Sequence, residues 1–437
     1  MNKTLLKIII TIACVIALTV VALGVTFYFL AVYDAPAPDD SAYKTTYAPV
    51  PPETNAVVTL EKLQGKVKAS LKDYPEFNDS LSESEWENLL SGDLIDFELQ
   101  VPVVVRNQEA LAILSEAMKK PNVQFATFLP GDGTTQNFPA RDFLYINKIA
   151  RMTWQNIRDG KVVFSWDDAL ANFQFAKKYA TAENVTILNF LLALACETGD
   201  SDLMIKNIAN LEDREVAIKT AFILNGDALQ PADLKFWTKG EYSVVEAAVR
   251  PMEKIPQEAL LQRYVFKPND TRRRALNVFE KINKAIDDGN LGLDIPPRLN
   301  WDTASSVEKT IYMLKPNSSG RALMELSQSN YDALYKNALK NFAPLRVQAC
   351  AFALRAYWLD HGRLPDSLDE LAPEYIKAVP LDIYGGKPVQ YDRERGVVYS
   401  AGPKLVYGTG EFALNTTPHY AYGDDRYFVL LDWSAQK

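Results

Sequence analysis

Histidine is nearly absent: the 437-residue chain has two, His361 and His419. A histidine-built metal centre or a multi-histidine mechanism therefore has no ligand set to draw on. Cysteine is scarce too, and Cys14, Cys196 and Cys350 are too few for a disulfide framework. No GxSxG, GxxxxGK[ST], HExxH or CxxC run occurs, so hydrolase-elbow, P-loop, zincin and redox-motif chemistry lack their residues. Excess positive charge is missing as well. With 55 acidic against 47 basic residues the net charge is −8, which argues against a nucleic-acid partner. Carboxylates are plentiful, but Glu83, Glu85 and Glu87 are spaced by two and so do not share a helix face.

What is present begins at the N-terminus. From Ile8 to Tyr33 no residue is charged, a stretch long enough to span a bilayer with some tilt. Lys3 and Lys7 precede it, while Asp34, Asp39 and Asp40 follow. The positive-inside rule then places the N-terminus in the cytoplasm and the bulk of the chain outside the cytoplasmic membrane, as for a signal-anchored periplasmic domain. The expected segments are a membrane helix over 1–33, a Pro-rich linker over 34–54, a mainly helical domain over 55–340 and a terminal head over 341–437. The linker (DAPAPDD, APVPPE) reads as an extended spacer lifting the folded part off the bilayer.

Through the middle the apolar spacing is helical. Helices are expected over Ala110–Met118, Phe143–Asp159, Ser165–Tyr179, Asn184–Thr198, Asp202–Asn210, Asp213–Leu224 and Thr271–Asp287, with Gly199-Asp200-Ser201 as a break. LIDFELQVPVVV, from Leu94 to Val105, is the one strand-like piece. Asp270-Thr271 reads as a helix cap, with Arg272, Arg273 and Arg274 decorating the helix start. No fixed repeat period is visible, so the domain reads as irregular and helical. Cys196 and Cys350 lie on apolar helix faces, as buried free thiols would, and a bond between them is chemically allowed outside the cytoplasm.

The C-terminal fifth carries the densest pattern. Arg346–Leu359 has apolar residues at helical spacing, and Gly362 suits the left-handed residue after a helix end. Ser367 with Glu370 forms a capping box opening a short helix, SLDELAPEYI. Strands are expected over Pro388–Tyr391, Gly396–Ser400 and Tyr427–Trp433. The fold class is α+β, with a long helix on a small antiparallel sheet at the end. Asp360, His361 and Ser367 together invite a triad reading. A histidine at a helix C-terminus, favoured there by the dipole, is the plainer account.

Tyr357, Asp360, Gly362, Pro365, Leu368 and Leu371 follow the pattern YxxDxGxYPxxLxxL. Val379-Pro380, Asp382, Gly386, Pro388 and Tyr391 follow VPxDPxGxPxxY, and Tyr399-Ser400 with Gly402 follow YSxG. This segment resembles the head of a type II secretion major pseudopilin. Ile383 stands where that family has a proline, Pro403-Lys404-Leu405 replaces its acidic loop, and no prepilin-peptidase site opens the chain. The layout also resembles a group of membrane-anchored bacterial envelope proteins, through Pro52, Asn55 and Ala56 at the front and Arg346, Ala353–Tyr357 and Asp360–Arg363 at the back.

The resemblance implies a calcium site, for which Asp424, Asp425 and Ser400 are the candidates, although a Gly-Asp-Asp turn is commonly just solvated. No other cofactor is implied. The aromatic, threonine-rich stretch from Tyr407 to Tyr422 precedes the last strand, and Tyr407, Phe412, His419, Tyr420 and Tyr422 are the candidate partner-binding residues. Two function classes follow: an envelope structural or interaction protein linked to secretion or pilus-like machinery, and an envelope hydrolase using carboxylates of the helical domain. A cavity lined by two carboxylates of shifted pKa would favour the second.

Overall fold

The computed structural model describes residues 3–44, 48–77, 80–91, 96–125, 138–158, 161–256, 258–293, 303–407, 420–423 and 426–431. Helix α1 (Lys3–Val32) is followed by the short α2 (Ala56–Glu61), α3 (Glu83–Ser91), α4 (Phe97–Arg106), α5 (Gln108–Met118) and α6 (Ala140–Thr153). A hairpin of β1 (Gln155–Arg158) and β2 (Lys161–Phe164) leads into α7 (Trp166–Ala180), α8 (Ile187–Lys206), α9 (Arg214–Phe222) and α10 (Lys235–Val249). Then come α11 (Leu260–Val265), α12 (Pro268–Asp287), α13 (Ser306–Met313) and the 44-residue α14 (Ser318–His361). The last sheet orders as β3-β4-β6-β5 from β3 (Gln390–Asp392), β4 (Val397–Tyr399), β5 (Tyr420–Gly423) and β6 (Arg426–Leu430), all neighbours antiparallel. The class is α+β, as the patterning implies.

One face of this sheet, Val398, Tyr427 and Val429, joins the main core against α14, whereas Val397, Tyr399 and Phe428 form a small separate cluster behind it. The main core runs unbroken from Tyr43 to Leu431. The boundary expected at 340/341 falls inside α14, so one helix belongs to both the helical layer and the head. Arg355 of α14 donates to the carbonyls of Leu211 (2.9 Å) and Ala209 (2.8 Å), tying it to the turn before α9. Gly362 takes the left-handed conformation expected of it, at φ +65.

Several local expectations are corrected. Of the expected strand Leu94–Val105, Leu94 and Ile95 lie outside the described residues and the rest is helical: Asp96 accepts from the amides of Glu98 and Leu99, starting α4, and local capping with burial of Val103 outweighs the valine-rich composition. Gly199-Asp200-Ser201 does not break a helix, because α8 runs through it with Asp200 and Ser201 fully buried. The helix expected to reach Asp159 ends at Thr153, where the β1–β2 hairpin begins. SLDELAPEYI gives only the 3-10 turn Leu368–Leu371, though Glu370 does accept from the Ser367 amide at 3.1 Å. Pro268, not Asp270, opens α12, and buried Arg272 pairs with Glu246 and Glu253 instead of decorating the surface.

The spacer over 34–54 is corrected most. Its first part lies along the helical layer: Asp34 accepts from the amides of Asn269 (2.9 Å) and Asp270 (3.3 Å), capping α12 from outside. Asn269 donates to the Ala35 carbonyl and Arg273 to that of Pro36. Tyr242 donates to Asp40 at 2.7 Å, and Tyr43 packs on Phe279 within the core. In α1 the side chains are described from Ile16 onward. Among the described residues no helix is long and apolar enough to cross a membrane.

Candidate functional site

Three places gather polar groups. The first lies between α6, α7 and α8. Arg151 donates through Nε to Asp200 (2.8 Å) and through its terminal nitrogen to the Cys196 carbonyl (3.0 Å), while Asn172 donates to the other Asp200 oxygen (2.8 Å). Gly199 makes the approach feasible: a Cβ there would stand 2.4 Å from the guanidinium carbon. Burial pushes the Asp200 carboxyl up, to about 6, with Arg151 pulling the other way. Three residues earlier, burial also drives Glu197 well above the usual carboxylate range, while its carboxylate accepts from the Leu229 amide.

A cavity of about 260 Å³ adjoins this cluster, walled by Leu111, Leu114, Met118 and Trp154, with Ser115, Thr153, Asp168 and Asn172 as its polar lining. Asp200 and Glu197 do not line it. Both are fully enclosed and engaged by an ion pair or an amide, which makes them structural groups with no reach to a substrate. Cys196 and Cys350 are buried free thiols, and burial pushes the Cys196 thiol up to about 12, so neither is a nucleophile.

The second place is the foot of α1. A cavity of about 230 Å³ is lined by Ala31, Val32 and Asp34 on one side and by Met252, Ile255, Arg263, Phe266 and Lys267 on the other. Lys267 donates to the Ala31 carbonyl, and burial lowers its pKa.

The third is the head. Buried Asp382 accepts from the Tyr384 amide (3.1 Å), the Ala401 amide (2.6 Å) and the Ser400 hydroxyl (3.0 and 2.9 Å). Burial raises its pKa against these bonds. The Ser400 hydroxyl proton is thus committed to Asp382. Asp424 and Asp425 lie outside the described residues, and among the described residues no group of three acidic, histidine or cysteine side chains is placed to hold a metal. Of the partner-binding candidates, Tyr407 is exposed with Lys387 over its ring at 4.5 Å. Tyr420 and Tyr422 sit on β5, paired with Val429 and Tyr427, and Phe412 and His419 lie outside the described residues.

The triad reading also dissolves. Asp360 and His361 both contact the Tyr375 hydroxyl (2.8 and 3.2 Å), Arg214 pairs with Asp360, and Ser367 is engaged by Glu370. Arg151 and Asp200 were missed as a pair. The one sequence signal is an arginine in phase with the buried Phe143 and Asn147 of α6. No family model, no curated protein and no solved structure matches this chain.

Proposed function

We propose that the chain is a single-pass, membrane-anchored scaffold of the cell envelope, with its N-terminus in the cytoplasm and its folded part in the periplasm. Its head would make protein contacts in the manner of a type II secretion pseudopilin. The observation that supports this best is mechanical continuity. Asp34, immediately after α1, caps α12; α12 packs on α14; and α14 runs without interruption into the head. A displacement at the head is thereby coupled to the membrane exit through packed helices, not through a free linker.

The head offers a docking edge. Among the described residues β5 pairs with β6 alone and ends the strand order, the position at which an added strand can pair. The carboxylate-hydrolase alternative receives no support from geometry, because the α8 carboxylates of raised pKa line neither cavity. A photo-crosslinking residue at Tyr407 of the full-length protein in its native membranes tests the proposal. Recovery of a pseudopilin or a secretion-platform subunit is expected. Recovery of the chain alone, or only with itself, would separate the head from secretion.

A further inference from the structure

We propose that the folded part is seated directly on the outer surface of the bilayer, through α11, the Arg250–Lys254 turn and α13, beside the exit of α1. The inference rests on the reading of α1 as a membrane span and adds to it a second, peripheral contact with lipid.

Helix α13 wears its apolar face outward. Val307, Ile311 and Leu314 recur at four and three residues, forming one stripe, and are 67%, 52% and 66% exposed, while Tyr312 is buried against the body. A helix facing water is expected to show the reverse. Leu261 of α11 and Met252 of the preceding turn are likewise exposed. Scattered exposed apolar residues are ordinary, but Met252 lines the cavity at the foot of α1, α11 packs on α1, and α11 is bonded to the end of α13. Tyr264 is its pivot. Its ring lies 5.2 Å from that of Phe27 in α1, its hydroxyl donates to the Leu314 carbonyl, and its own carbonyl accepts from the Asn317 amide at 2.8 Å. The last turns of α1, α11 and the end of α13 therefore meet at a single residue.

Depth decides what covers this surface. The uncharged stretch Ile8–Tyr33 has 26 residues, about 39 Å of helix at ~1.5 Å per residue. The hydrocarbon layer is about 30 Å thick, leaving roughly 9 Å in excess. Phe27 lies six residues before Tyr33, again about 9 Å. With α1 upright and Ile8 at the inner boundary, contact at Phe27 puts α11 at the outer hydrocarbon boundary, where lipid is the surrounding solvent. The aromatic run Phe27-Tyr28-Phe29 with Tyr33 suits that level. Lys309 and Lys315 flank the apolar stripe of α13 along the chain and Lys254 follows Met252, and among the described residues they take part in no ion pair. Lysines in that position reach phosphate headgroups while their stems cover apolar surface.

The test uses full-length protein in vesicles of phosphatidylethanolamine and phosphatidylglycerol, in a Cys14→Ser background, since Cys196 and Cys350 are buried. An environment-sensitive fluorophore is placed by Leu18→Cys, Leu261→Cys, Ile311→Cys or Leu405→Cys, one at a time, with a quencher carried on lipid. Loss of most of the emission at positions 18, 261 and 311, with none at 405 in the head, is the expected result. Quenching at 18 with unchanged emission at 261 and 311 would overturn the seating and leave the anchor standing. No quenching at 18 would remove the anchor and the seating together. A Leu261→Asp/Ile311→Asp variant should abolish quenching of a Val307→Cys label while a label at 18 stays quenched. If Val307 stays quenched in that variant, the apolar stripe is not what holds the body down. Crosslinking from position 261 in native membranes to a protein in place of lipid would overturn lipid as the occupant.

Discussion

Asp200 in the helical layer and Asp382 in the head are both buried carboxylates, yet they are satisfied by opposite means. Asp200 faces helices whose backbone amides are already spent on their own turns, so its partners are the side chains of Arg151 and Asn172. Asp382 sits in a turn, where the amides of Tyr384 and Ala401 are unclaimed, and only Ser400 contributes a side chain. At Asp200 the helical layer imports a counter-charge to bury an acid, whereas the turn at Asp382 supplies dipoles locally. The first arrangement joins three helices, and the second pins one hairpin to the segment before it.

Breaking the imported charge should cost most. Arg151→Leu strands Asp200 in the core, and a loss of about 3–5 kcal/mol is expected in denaturant melting. Adding Asp200→Leu should recover most of it, because the uncompensated charge is then gone. No recovery in the double variant would mean that the two residues are not energetically a pair.

The same acid carries a pH signature. Its folded pKa, about 6, lies above its ordinary 3.8, so the folded state holds the proton more tightly. Its contribution to stability is therefore greatest below the ordinary value. That contribution declines as pH rises towards 6 and is constant above it. In Arg151→Leu the decline should extend to higher pH, since the cation that opposes burial has been removed. A melting temperature followed against pH in both proteins checks this.

Gly199→Ala comes next. Alanine favours the helix by about 1 kcal/mol, but its Cβ would press on the pinned Arg151 guanidinium, and overpacking of this kind costs about 1–3 kcal/mol. A net loss is expected, reversed to a gain when Arg151 is shortened to methionine. In the head, Asp382→Ala should cost about 1–3 kcal/mol by orphaning two amides and a hydroxyl. Hydrogen exchange should rise locally at β3 and β4 and leave α8 protected. Ser400→Ala removes one donor of three and is expected to cost about 1 kcal/mol. A larger effect there would show that the turn depends on the hydroxyl more than on its amides.

Much of the architecture was legible along the chain. The helices α5, α7, α9 and α12, the glycine that closes α14 and three strands of the last sheet all follow from short-range signals: apolar period, capping residues and turn residues. β5 escaped because YAYG has no run of alternation long enough to read as a strand, and its pairing with β6 is what makes it one. The failures share a cause. Composition makes Leu94–Val105 read as a strand and Gly199–Ser201 as a break, whereas a cap at Asp96 and the passage of Arg151 over Gly199 set the conformation from Asp96 to Val105 and at Gly199–Ser201. The candidate site fared likewise. Tyr407 could be marked as an exposed aromatic, but the Asp382–Ser400 union depended on bringing two loops 18 residues apart into contact.

By itself, then, the sequence determined the positions of α5, α7, α9, α12 and three strands of the last sheet, the uncharged stretch at the front, and the scarcity of histidine and cysteine. These are properties of neighbours within a few residues, set by backbone geometry and side-chain period. Only the tertiary structure decided that the proline-rich segment would lie on the body and that Asp34 would cap a helix starting more than two hundred residues later. It likewise decided that α14 would serve both halves, and that Asp200 would meet Arg151. Each of these is a contact between groups far apart in sequence, specified by burial and charge complementarity that become visible once the helices are packed.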